Sequence, residues 1–274
     1  RNYGRAPEGA ALIDSARAAG VRVAGAQHVY TATQSNLRSY TIPDWAAAGG
    51  DTAMVRRFDH PDTVAMIDED SREMLAIRGG ADHILFGDPR PGLNGKTLRE
   101  VADEWGIEPS TAARRILRDG NAVVMNLELY DPENTRYLAE REWMMTCTDG
   151  RTPRPEQAVV HPRVYGAFTK KLRDFVLDEG LISMPFAIRS MTGLAADFLG
   201  LPDRGYVRAG MQADLAVLDR DRIRDHATYE SPHQYSDGTV HVLVNGAFAL
   251  RDGEHTGALA GAPLVRGGGV FEGR

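Results

Sequence analysis

The sequence has one cysteine, Cys147, among 274 residues. An internal disulfide is therefore excluded, and so is any zinc module built on several cysteines. No run of about 18 apolar residues occurs, so no stretch reads as a membrane-spanning helix. Positive charge is not in excess: the formal net charge is -6. That balance argues against non-specific binding to nucleic acid or to an anionic membrane. No two of the eight histidines stand two residues apart, so a His-x-His metal pair is absent. The chain begins at Arg1 with no methionine, secretory apolar region or transit-like segment. Processing would explain that start, and so would a chain whose N-terminal portion lies elsewhere. What is present is ordinary globular material, 42% hydrophobic and 26% charged, enough for one large domain or two smaller ones. Nothing fixes a compartment; the cytoplasm is slightly favoured.

The stretch Met144-Met145-Thr146-Cys147-Thr148-Asp149-Gly150 reads as a short apolar strand ending in a carboxylate and a glycine. With strand alternation, Met145, Cys147 and Asp149 share a face, which would set the carboxylate above a packed column. A buried strand that delivers an acid into a loop is how (β/α) barrels present catalytic groups. Asp149-Gly150 is equally readable as a turn pair. An irregular loop then leads to His161-Pro162-Arg163.

Upstream, residues 7–19 place Leu12, Ile13, Ala16 and Ala19 on one helical face, with Gly20 as the stop. A strand follows over 21–30, with His28 and Tyr30 on one side as structural or functional residues. Helix, turn, strand is the unit of an α/β protein. From about 38 to 130 the pattern is irregular and reads as a helical insertion between two core strands. Inside it, Thr97–Leu117 resembles a DNA-binding helix-turn-helix, with Ala102 and Gly106 at the turn. The competing reading is a packed helical hairpin with Leu98, Val101, Ala102 and Trp105 inward. The mixed charge of Glu100, Asp103, Glu104 and Glu108 beside Arg114, Arg115 and Arg118 favours the hairpin. Residues 122–125 form a candidate strand, and Asp131 with Pro132 starts a helix to about Ala139. Beyond the loop, Phe168, Leu172, Phe175 and Val176 share a helical face, with further helices after Met184-Pro185 and over 194–199. The character then changes. Residues 205–219 read as two short strands, and Val240–Leu250 as a hairpin turning at Asn245-Gly246. Division into residues 1–204 and a β module over 205–274 follows.

With these pieces placed, the chain resembles the C-terminal half of the N-acyl-D-amino-acid deacylases (D-aminoacylases), in the amidohydrolase superfamily. Val29-Tyr30-Thr31-Ala32 is similar to their Tyr-Pro-Tyr-Thr-Ala strand. The likeness continues through Ile42-Pro43-Asp44-Trp45, Gly49-Gly50 and Gly95-Lys96-Thr97-Leu98. Thr148-Asp149-Gly150 followed by His161-Pro162-Arg163-Val164-Tyr165-Gly166-Ala167-Phe168 is its most specific part. Met191-Thr192-Gly193, Gly200-Leu201, Arg204-Gly205, Gly210 and Ala213-Asp214-Leu215 complete it.

This resemblance implies the C-terminal part of a metal-dependent (β/α)8 TIM-type barrel with a small β-sandwich module. It implies Zn²⁺, one or two ions, as cofactor, and an N-acyl-D-amino acid as substrate. Asp149 falls on the family's last-strand aspartate, a metal ligand and the base for the attacking water; Arg163 falls on the arginine that holds the substrate carboxylate. Tyr30 and His28 fall on substrate-binding positions, but His28 and Val29 replace the family's tyrosine and proline. The remaining metal ligands are expected outside this chain, in an N-terminal half of the barrel supplied in cis or by a second chain. Self-association is a further expectation, and neither nucleic acid nor membrane is an expected partner. Alternatives are another amidohydrolase acting on a different linear or cyclic amide, and a non-catalytic barrel fragment.

Overall fold

The structure is a computed structural model, and it describes residues 2–153 and 160–264. Part of the loop expected between Pro153 and His161 lies outside the described residues. Chain order begins with helix α1 (Ala6–Ala18) and strand β1 (Gly25–Gln27). Strand β2 (Thr33–Asn36) leads into helices α2 (Leu37–Thr41), α3 (Asp44–Ala47), α4 (Gly50–Arg57) and α5 (Pro61–Ile77). Then come β3 (Ile84–Phe86), α6 (Leu98–Trp105), α7 (Pro109–Arg118), β4 (Val123–Asn126), α8 (Pro132–Ala139) and β5 (Met144–Thr146). Helix α9 (Arg163–Lys171) runs on as a π-helical stretch, Leu172–Asp178. It is followed by α10 (Met184–Met191), α11 (Gly193–Leu199), β6 (Leu215–Leu218), β7 (Thr239–Val244), β8 (Ala247–Arg251) and β9 (Glu254–His255).

Strands β1 and β5 pair in parallel, with Gly25 opposite Met144 and Gln27 opposite Thr146. A parallel pair needs a long crossover, and everything from His28 to Trp143 is that crossover. Its middle is an excursion with a core of its own. Strands β2, β4 and β3 form an antiparallel sheet in that order. Leu37, Met54, Ile67, Phe86, Leu98 and Val124 bury together between this sheet and the helices. Between β1 and β5 lie three further strands where the sequence suggested one. Thr33–Asn36 is polar and Ile84–Phe86 is only three residues long, so neither shows strand periodicity.

The helix-turn-helix likeness resolves as a packed hairpin. Thr97 and Glu100 form a capping box, and Gly106 ends α6 in the left-handed conformation. Helix α7 buries Ala112, Ala113, Ile116 and Leu117. Its arginines are already committed: Arg114 makes a two-pronged pair with Asp68 (2.9 and 2.8 Å). Arg118 holds Asp59, and Arg115 lies over the Trp105 ring. Phosphate contacts would need those guanidiniums free.

Other boundaries shift. Helix α1 packs through Ala6 and Ala10 beside Trp143 and Met144, while Leu12 faces outward at 74% exposure. Residues 205–219 carry one strand, β6, rather than two, because 205–214 is a series of turns around Gly205 and Gly210. The Asn245-Gly246 hairpin forms as expected, with both residues at positive φ. β6 to β9 make a single four-stranded antiparallel sheet. A sandwich needs a second facing sheet, and the described residues contribute one.

Candidate active site

Strand β1 and strand β5 alternate faces in register. Thr146 and Gln27 point to the helix layer: Thr146 meets Ser190 of α10, and Gln27 bonds the Thr135 carbonyl of α8. The opposite face carries His28, Met145, Cys147 and Asp149. It is not the packed column expected from the sequence, since Met145 and Cys147 are half-buried and Asp149 is exposed. A cavity of about 1010 Å³ opens beside the two strands, lined by His28, Cys147 and Asp149 from this face and by Gln27 and Met144 from the other.

Asp149 lies past the end of β5 with φ +46, a left-handed conformation that aspartate tolerates better than most residues. Gly150 follows because any side chain there would overlap Val164 Cγ1 at the start of α9. This close approach brings Arg163 beside Asp149: Nη2 to Oδ2 is 3.0 Å. The partners differ sharply in environment. The Arg163 side chain is 6% exposed and that of Asp149 65%.

Two histidines surround Arg163. His161 accepts the Arg163 backbone N–H at Nδ1 (3.0 Å) and donates from Nε2 to the Ala32 carbonyl (3.0 Å). That assigns its proton to Nε2. His28 Nε2 lies 3.0 Å from Arg163 Nη1, and the Tyr30 N–H lies 3.2 Å from its Nδ1. A neutral imidazole has one bare nitrogen. Both contacts offer it a donor, the Tyr30 N–H at Nδ1 and the Arg163 guanidinium at Nε2. Arg163 Nε is buried without a partner among the described residues. Burial, with the Arg163 charge adding to it, brings His28 down to about 4 and His161 to about 3. Burial likewise pushes the Cys147 thiol up.

Tyr30 does not join the cavity lining. It is buried, its hydroxyl lies 3.4 Å from Asp225 Oδ2, and burial raises it. Gly166 is required at this point, because a Cβ would overlap the Tyr30 hydroxyl. Tyr30 therefore supports the site from behind. Asp225 and Tyr229 reach it from the stretch after β6; the Tyr229 ring meets Tyr30 and His161 edge-on at 6.4 and 5.4 Å. Tyr130 stands edge-on to His28 at 5.8 Å. None of these three was visible as a site residue in the sequence, because no local pattern marks an aromatic that packs across the fold.

The amidohydrolase family's sequence profile matches residues 4–249. The chain belongs to that family. It is 34% identical over 245 residues to an N-acyl-D-glutamate deacylase of Alcaligenes xylosoxydans xylosoxydans, covering 89% of this chain and 42% of that protein. A D-aminoacylase of the same organism is 34% identical over 190 residues, 69% of this chain and 38% of that protein. The fold is similar to that of the N-acyl-D-glutamate deacylase of Bordetella bronchiseptica, solved with zinc and a phosphonate mimic of the tetrahedral intermediate. There the TM-score is 0.67 and the identity 29%, over 90% of this chain and 44% of that one. A D-aminoacylase structure described by its binuclear metal centre gives a TM-score of 0.72 at 27% identity, over 94% and 46%. The chain thus has the α/β amidohydrolase fold, and it spans less than half the length of these relatives.

A catalytic zinc takes three protein ligands besides water. Among the described residues, no three of histidine, cysteine, aspartate and glutamate converge. Asp149 alone does not make such a site.

The neutral histidines give this amidohydrolase chain an acid-sensitive stability. The unfolded rings titrate near 6.5 and the folded ones well below, so the unfolded state binds more protons as pH falls from 6.5. The loss sets in near pH 6.5 and should amount to about 3 kcal/mol for two protons between pH 6.5 and 5. Urea unfolding across that range checks this; replacing His161 by glutamine should halve the slope.

Proposed function

We propose that this chain is the C-terminal part of a metal-dependent hydrolase that cleaves the amide bond of N-acyl-D-amino acids. The observation that carries the reading is the Asp149–Arg163 pair, whose carboxylate lines a cavity, in a chain related along most of its length to deacylases of such substrates. On this reading β1 and β5 are two adjacent strands of a (β/α)8 barrel, their open face turned toward strands contributed by an N-terminal half. The same half would supply the sheet facing β6–β9 and the remaining metal ligands, giving the division into residues 1–204 and 205–274 its sense. The metal, zinc in the deacylase relative's structure, would lower the pKa of the attacking water.

The residues of this chain then have definite tasks. Arg163 pairs with Asp149 Oδ2, which leaves the second oxygen to accept a proton. Asp149 takes the proton of the water as it attacks the amide carbonyl and passes it to the leaving nitrogen. The products are a carboxylate and a free D-amino acid. Arg163, held by both histidines, presents Nη2 to the carboxylate of the substrate, the role for which a planar guanidinium is suited. His28 orients that guanidinium from the cavity wall.

The test needs the chain together with the upstream half. That enzyme should bind zinc and hydrolyse N-acyl-D-amino acids, and residues 1–274 alone should do neither. Asp149→Asn should lower kcat by several orders of magnitude at unchanged Tm, because the amide cannot accept the proton; normal turnover removes Asp149 from the reaction. Arg163→Lys should lower kcat/KM far more for an acylated amino acid than for its carboxamide. An equal loss on both would make Arg163 structural.

A further inference from the structure

The helix layer behind the site holds a lysine with no carboxylate. Lys171, the last residue of α9, is 1% exposed. Its Nζ donates to Thr146 Oγ1 at 2.9 Å and to Ser190 Oγ at 3.0 Å. The two hydroxyls are themselves 3.0 Å apart. Ser190 donates to the Ala187 carbonyl at 2.7 Å, so Thr146 is the donor between them. Among the described residues no acidic group forms an ion pair with Lys171.

Burying an amine without a counter-charge is costly, and a methionine would fill the same space at no such cost. The cost is visible: burial brings Lys171 down to about 8. What a methionine cannot do is bond two hydroxyls on two different elements. Thr146 sits on β5, three residues before Asp149; Ser190 sits on α10; Lys171 sits on the helix that begins with Arg163. The amine therefore joins the strand that delivers the carboxylate to the helix that delivers the guanidinium. There is no slack at the other end of this joint, where Gly150 and Val164 already touch.

We propose that Lys171 is a positioning residue, whose bonds to Thr146 and Ser190 hold β5 against α9 at the spacing that keeps Asp149 within reach of Arg163. The proposal rests on the roles given to those two residues above. A misplacement of about 1 Å in a catalytic group costs on the order of a hundredfold in rate, so a small slip of β5 along α9 is enough to matter.

The test uses the intact enzyme, this chain with its upstream half, carrying Lys171→Met, Thr146→Val or Thr146→Ser. Lys171→Met and Thr146→Val should each lower kcat/KM on an N-acyl-D-amino acid at least tenfold, through both kcat and KM. Thr146→Ser, which keeps the hydroxyl, should restore it to near the wild-type value. A lower Tm with unchanged kcat/KM of the folded enzyme overturns the proposal, since that is what a merely structural lysine would give. If Lys171→Met does not fold, the Thr146 pair decides alone. Crystal structures of the valine and methionine variants give a reading independent of activity. The Asp149–Arg163 contact, 3.0 Å here, should open beyond ion-pair distance, and its retention overturns the proposal. If the wild type hydrolyses no N-acyl amino acid, the function reading fails while the structural measurement still decides the role of Lys171.

Discussion

The structure depends on one short parallel pairing. β1 and β5 meet over three residue pairs, and every functional side chain is placed relative to them. Pairing in register makes the two strands alternate together, so His28, Cys147 and Asp149 share one face and Gln27 and Thr146 the other. The second face meets α8, α9 and α10, and the cavity reaches residues of both faces. A slip of one residue would exchange the faces, burying the carboxylate in the helix layer. The pairing is itself held from the helix side, by hydrogen bonds from Gln27 and Thr146 and by the packing of Met144 with α1 and α8.

The electrostatics of the site follow from unequal burial. Burial among rings, with the Arg163 charge adding to it, keeps both neighbouring histidines neutral. Neutral imidazoles can accept hydrogen bonds from the arginine, and charged ones could not. The exposed Asp149 is the only charge partner recorded for Arg163 among the described residues. On the roles proposed above, substrate carboxylate and Asp149 would share one guanidinium, which would put clamp and base in direct electrical contact.

Sequence reasoning reached what is locally encoded. The Asn245-Gly246 hairpin and the Asp131-Pro132 helix start each rest on a few adjacent residues, and each formed. Asp149 and Arg163 were found through motifs of adjacent residues, and the structure brings them together. Tyr30 was assigned to the substrate side on the same motif, yet its hydroxyl turns to Asp225, a partner 195 positions away. The strands Thr33–Asn36 and Ile84–Phe86 were not legible because their pairing, not their composition, makes them strands. Leu12 was taken for core because helical periodicity names an apolar face without saying what covers it.

The excursion between the two parallel strands leaves and returns through neighbouring points. Thr33, near its beginning, is the register partner of Asn126, near its end. Its large core is closed within residues 37–124. A unit with adjoining ends and private packing can grow, shrink or be exchanged without altering the span between the strands it interrupts. In evolutionary terms the active-site scaffold and this unit are free to diverge at different rates.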